Sequence, residues 1–171
     1  MRAATAWGRL SRTLPRALPL LLGVLALLVY LGTRFHVAIN DQVAKCLPPY
    51  TLFLVDRHDR TVHRGGLYAF FAAQRVQPFF PLETVIIKQV VGGPGDRVSV
   101  DAQVTRVNGK TVGAGLDLAE TLGHAKAHYV RSLEVPQDAL WVMGATRDSF
   151  DSRYWGPLPA HQILGRAYAL F

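Results

Sequence analysis

Residues Ala17 to Thr33 run for 17 positions without a charged side chain, and no other stretch limits the possible structures as much. That length is at the lower edge of what a helix needs to cross the hydrocarbon core of a bilayer. Pro19 stands near the beginning of the run, where the first turn of a helix tolerates a proline. Four arginines, Arg2, Arg9, Arg12 and Arg16, precede it with no acidic residue among them. The run ends in "VYLGTRFHV", which lacks the small-x-small pattern of a removed secretory peptide. An uncleaved anchor is therefore expected. The arginine bias places residues 1–16 in the cytoplasm, 17–33 across the membrane and 34–171 on the outer face.

A net charge of +7 invites a nucleic-acid partner. Of the 19 lysines and arginines, however, four lie ahead of the apolar run, and the other 15 face 12 acidic residues. They are scattered, with no basic run and no nucleic-acid-reading motif, so the charge belongs mostly to the flank of the anchor. Cys46 is the only cysteine in 171 residues and on the outer side has no internal disulfide partner. Three readings stay open for it: an intermolecular partner, a small buried hydrophobe, or a reactive group. The six histidines show no ligand spacing for a metal, although His124 and His128 would share a face if helical.

Beyond Arg34 the chain reads as short strands. "TLFLV" (51–55), "GLYAFFAA" (66–73), "TVIIKQVVG" (84–92), "DRVSV" (96–100), "ALWVMG" (139–144) and "ILGRAYALF" (163–171) are rich in β-branched and aromatic residues between turn signals. "VTRVNGKTV" (104–112) predicts a hairpin, with Asn108-Gly109 at its tight turn. One helix is predicted around "GLDLAETLG", from Asp117 to a stop at Gly123. The expected architecture is one mainly β domain behind a single N-terminal transmembrane helix.

Two segments carry chemistry. In "TVIIKQVVGGPGDRV" strand periodicity gives Lys88 an apolar neighbour on each side of its own face, Ile86 and Val90. Such a lysine either guards a sheet edge or sits where the ammonium form is disfavoured and a neutral amine serves as a base. Near the C-terminus, "GATRDSFDSRYWG" gathers Arg147, Asp148, Ser149, Asp151, Ser152 and Arg153 among Phe150, Tyr154 and Trp155. Aromatic flanks argue that this cluster is packed, and packed charges must be paired.

The blocks "CLPPY", "KQVVGGPGD" and "GATRDSFDSRYWG", in that order behind an anchor, resemble the type I signal peptidases, which are membrane-bound serine–lysine proteases. Their blocks read roughly S-M-x-P-T, K-R-V-x-G-x-P-G-D and G-D-N-R-x-x-S-x-D-S-R. The resemblance implies a coiled β-sheet or partial barrel. It puts Cys46 where the family has its nucleophilic serine and Lys88 where it has the general base. Ser149 corresponds to the serine that bonds the lysine, and Asp151 with Arg153 to the pair that braces the site. It implies no cofactor or metal, and as partners an exported precursor polypeptide and the inner membrane. Two departures stand out: "GAT" replaces "GDN", and Ala44 takes the place of an oxyanion-hole serine, which leaves the backbone N–H of Cys46 as the donor. The compact "CLPPYTLFLVD" and the small 101–135 insertion are similar to the TraF-type peptidases of conjugative transfer, whose substrate is a pilin. The alternatives are a general signal peptidase and a catalytically dead domain that binds a secretion or pilus partner.

The arginine excess predicts that protease added to intact spheroplasts digests the domain after Arg34. Full protection would reverse the orientation.

Overall fold

The apolar run is helical from end to end in the computed structural model, which describes residues 4–40, 46–72, 76–77 and 79–171. Helix α1 spans Ala4–Arg34, longer than the 17-residue stretch predicted. Pro15 and Pro19 thus lie inside it rather than at its first turn, as membrane helices tolerate when other groups satisfy the freed carbonyls. None of the Ala17–Arg34 window is buried within the protein. Its leucines take their apolar surroundings from elsewhere, and the segment is long and apolar enough to span a membrane.

The chain divides into two units, Met1–His36 and Val37–Phe171. The second is mainly β. Strands β1 (Phe35–Ile39), β2 (Leu52–Asp56), β3 (Leu67–Phe71), β4 (Val85–Gly92), β5 (Arg97–Val100), β6 (Val104–Val107) and β7 (Lys110–Ala114) come first. After them follow β8 (Arg131–Glu134), β9 (Ala139–Met143), the short helix α2 (Ser152–Trp155), β10 (Leu158–Pro159) and β11 (Ile163–Ala169). A seven-stranded sheet has the order β1-β2-β11-β3-β4-β9-β10, and a four-stranded sheet the order β7-β6-β5-β8.

The predicted strands form within a residue or two of their expected bounds, while β1, β8 and β10 were not anticipated. The hairpin β6–β7 closes at Asn108 and Gly109 with φ of 50° and 80°, the pair of positive values that a two-residue turn demands. The predicted helix at 115–123 is absent and a succession of turns takes its place. Gly115 and Gly123 both hold positive φ there, 79° and 77°, and Leu116 and Ala119 are fully buried in the core. Tertiary burial overrides a helix propensity this short.

Strand β9 explains why two sheets make one core. All five of its residues are buried. Trp141 and Met143 pack with Val98, Val100 and Val107 of the small sheet, while Leu140 and Val142 join Tyr68, Phe70 and Val90 on the other side. A strand covered on both faces has no use for alternation, hence the unbroken "ALWVM". Strand β4 keeps its period: Val85 and Ile87 pack with Val55 and Ala69, and Ile86 and Val90 lie with Tyr68 and Phe70. Lys88 shares that second face, directly opposite Tyr68.

The first three residues of β11 carry a bulge between Ile163 and Gly165. A methyl group at Gly165 would overlap the Asp56 carbonyl oxygen and come within 2.8 Å of the Arg57 Cα. Both are backbone atoms that cannot swing aside. Gly165→Ala should therefore lower stability by about 1–3 kcal/mol, the usual result of overpacking. Chemical denaturation of the full chain in detergent should show a lower midpoint with an unchanged slope.

Candidate active site

Among the described residues, Arg153 and Asp151 form a fully buried ion pair, with side chains 1% and 0% exposed. Asp151 precedes α2 in extended backbone and caps it, accepting from the Arg153 N–H as short polar side chains do at helix starts. The same carboxylate takes two parallel bonds from the guanidinium, Nε to Oδ1 and Nη2 to Oδ2, each at 2.8 Å. The remaining guanidinium donors reach five backbone carbonyls: Ala114, Gly115, Thr146, Arg147 and Ser149, at 2.8–3.2 Å. Burial opposes the Arg153 charge, but the Asp151 bonds and charge outweigh it and hold the guanidinium above its ordinary range. Arg131 donates to the carbonyls of Arg153 and Tyr154 at 2.6 and 3.0 Å, and burial pulls its own proton affinity down.

This fork fixes the loop between β9 and α2. Asp151 Oδ2 accepts from the Gly144 N–H at 2.9 Å, and Ser152 Oγ accepts from the Val142 N–H at 3.0 Å. Ser149 is thereby held with its hydroxyl against β4. Lys88 Nζ, on a residue 3% exposed, donates to Ser149 Oγ at 2.7 Å. No carboxylate bonds Lys88 among the described residues. Lys88 and Ser149, 61 positions apart, are bridged by one hydrogen bond between a strand and a loop.

Cys46 joins the group through its backbone. Its carbonyl accepts from the Ala145 N–H at 2.7 Å, and its residue is half-buried. Gly144 lies at the junction. A methyl there would overlap Ser149 Oγ and lie 2.9 Å from the Cys46 carbonyl oxygen, so only glycine lets the Cys46 backbone and Ser149 approach together. Pro48-Pro49 follow in cis. Ala44 lies outside the described residues.

The cluster Cys46, Lys88, Ser149, Asp151 and Arg153 is thus contiguous, linked by Gly144. Gly144 and Ser152 were quoted in the motif but given no role. A serine between two buried charges was the available signal, since a buried hydroxyl needs a partner. Arg147 instead pairs with Asp117 at the surface, Nε to Oδ2 at 3.0 Å. Beside Ser149 an aromatic group forms, with Phe150 edge-on to Phe79 at 5.4 Å and stacked on Phe80 at 6.2 Å. His124 and His128 stack at 4.3 Å away from any helix of the predicted kind, and among the described residues no three acidic, histidine or cysteine side chains converge.

The family described as signal peptidase, peptidase S26, matches residues 10–171. A probable signal peptidase I-2 of Synechocystis is 37% identical over 157 residues, covering 86% of this chain and 69% of the relative. A signal peptidase I of Leptolyngbya laminosa is 30% identical, covering 90% and 80%. A conjugal transfer protein TraF of Agrobacterium fabrum is 31% identical, covering 81% and 71%.

Removing one member of a buried ion pair strands the other. Arg153→Leu should cost about 3–5 kcal/mol, because Asp151 is left charged in the interior. Arg153→Leu with Asp151→Leu should cost less than the single change. Equilibrium denaturation of both variants tests the coupling.

Proposed function

This chain belongs to the signal peptidase family, peptidase S26, and on that premise we propose that it cuts an exported precursor with Cys46 as nucleophile and Lys88 as general base. It is a peptidase with a helix apt for anchoring. We further place it in the inner membrane with its catalytic domain on the outer face. There the 14 residues between Leu31 and Cys46 reach at most roughly 50 Å and keep the thiol near an emerging substrate.

The observation that carries the reading is the Lys88–Ser149 bond at 2.7 Å in the interior. A structural lysine in such a place is expected to be neutralised by a carboxylate. One held by a hydroxyl, oriented but not locked into an ion pair, is arranged to accept and return a proton.

The steps follow from that arrangement. Lys88 Nζ takes the Cys46 proton and the thiolate attacks the scissile carbonyl. The backbone N–H of Cys46 is the donor nearest the developing oxyanion. As the C–N bond breaks, Lys88 returns the proton to the leaving amine, and a thioester remains. Water, deprotonated by Lys88, attacks the thioester carbonyl, the C–S bond breaks, and the acid is released with the thiol restored. If a substrate amine replaces water, the same site joins rather than cuts. Ser149 orients Lys88, while Asp151 and Arg153 hold the loop that carries Ser149. Relatives named conjugal transfer protein TraF favour a conjugative pilin as the precursor. Relatives named signal peptidase I favour a broader set of exported proteins.

Co-expression with a precursor tests the roles. Cys46→Ala and Lys88→Ala should each abolish processing with the fold intact, the lysine change by about 10²-fold or more. Lys88→Arg should fail too, because guanidinium does not release its proton. Cys46→Ser should process slowly and resist thiol alkylation, which inactivates the wild type. Wild-type processing by Cys46→Ala would make the thiol mere packing.

A further inference from the structure

Helix α2 is a single turn of four residues, too short to hold its shape unaided. Its last carbonyls lack partners along the chain. In a continued helix the Arg153 carbonyl would meet the N–H of residue 157, and that residue is a proline, which has none. Gly156 ends the helix at a φ of 89° and turns the backbone away. Arg131 supplies the missing donor. Its Nη2 reaches the carbonyls of Arg153 and Tyr154 at 2.6 and 3.0 Å. It comes from outside the loop altogether, from the first position of β8, which pairs with Val100 of β5 in the small sheet.

Arg131 differs from the arginines around it. Arg64, Arg106, Arg147 and Arg166 each meet a carboxylate. Arg131 is partly buried, no carboxylate pairs with it among the described residues, and its Nε is buried without a partner. A cation placed like this is held by its carbonyls alone, at a cost in desolvation. The packing grips the same two residues. Tyr129, two positions before Arg131, is buried edge-on to Tyr154 at 5.0 Å, and the Tyr154 hydroxyl accepts from the Leu118 N–H at 3.0 Å.

What α2 carries gives this grip its meaning. Arg153 Nη2 holds the Ser149 carbonyl at 3.1 Å, and Ser149 Oγ takes Lys88 Nζ at 2.7 Å. Three hydrogen-bonded steps thus run from Arg131 to Lys88, through the Arg153 carbonyl and the Ser149 loop. A displacement of about 1 Å at the last step is enough to break it. We propose that Arg131 is a positioning residue for the cleavage: by capping α2 it sets where Ser149 stands, and so whether Lys88 is aimed at Cys46. The inference rests on the reading of Lys88 as the base toward Cys46.

The test needs no precursor. The full chain in detergent is alkylated with iodoacetamide, and the rate at about pH 7 is divided by the rate at about pH 10, where an ordinary thiol is ionised. Access to Cys46 cancels in this ratio, which leaves the help that the thiol receives in losing its proton. Lys88→Ala should lower the ratio at least about fivefold; a ratio it leaves unmoved would remove the base, and this proposal with it. Arg131→Met keeps the stem and loses the donors, and should lower the ratio at least about threefold. Arg131→Gln, too short to reach both carbonyls, carries the same expectation if the methionine variant does not fold. Arg131→Lys should restore most of the ratio, because a single nitrogen serves both carbonyls. Gly165→Ala, destabilised in the other sheet, should keep the wild-type ratio and so separates aim from stability. The proposal is overturned by a wild-type ratio in Arg131→Met or its glutamine substitute, by an equal fall in Gly165→Ala, or by a lysine variant no better than the methionine one.

Discussion

Everything around the candidate site leans on one buried ion pair. The Arg153 guanidinium, planar and rich in donors, is the only side chain suited to engaging one carboxylate in parallel while serving several carbonyls. Its five carbonyl partners come from two separate stretches, 114–115 and 146–149. Four of those carbonyls lie outside any strand or helix and the fifth, of Ala114, ends β7, and all would be costly to bury unpaired. Asp151 serves both sides, neutralising the guanidinium and taking the Gly144 N–H. The bracing is a matter of satisfying backbone groups more than of charge attraction, because the attraction in such pairs is largely offset by desolvation.

Upon that frame the two proposed reactive groups are placed by opposite means. Lys88 stands on strand β4, between β3 and β9, held in the ladder opposite Tyr68. Cys46 stands on irregular chain, where its carbonyl accepts from the Ala145 N–H. A proposed base on a paired strand and a proposed nucleophile on irregular chain suit a site that must first admit an extended polypeptide and then react with it.

The fold was largely legible because its strands carry their own signals. Period-2 alternation put Ile86, Lys88 and Val90 on one face, and the structure buries Lys88 and Val90 and partly buries Ile86. Asn108-Gly109 announced its turn. What escaped has physical reasons. β8 reads "RSLE", half exposed and half polar, and β1 merges with the apolar helix before it. The false helix at 115–123 had composition but lacked length, and the carbonyl of its first residue, Gly115, is taken by Arg153 instead. At the site, residue types were readable and partners were not. A sequence can show that Arg153 must be paired, but not that backbone oxygens from 114–115 supply the pairing, since any residue carries a carbonyl. Gly144 was silent for a related reason: its importance lies in what is missing from it.

The reach of Arg153 to Ala114 and Gly115 has a mechanical consequence. β7 is the edge of the small sheet, and its last carbonyl is held by the guanidinium that fixes the Ser149 loop. That edge cannot peel from the body without uncovering a buried cation, so fraying there and disassembly of the site are a single opening event. A sheet that carries none of the reacting groups nevertheless sets how often the site comes apart.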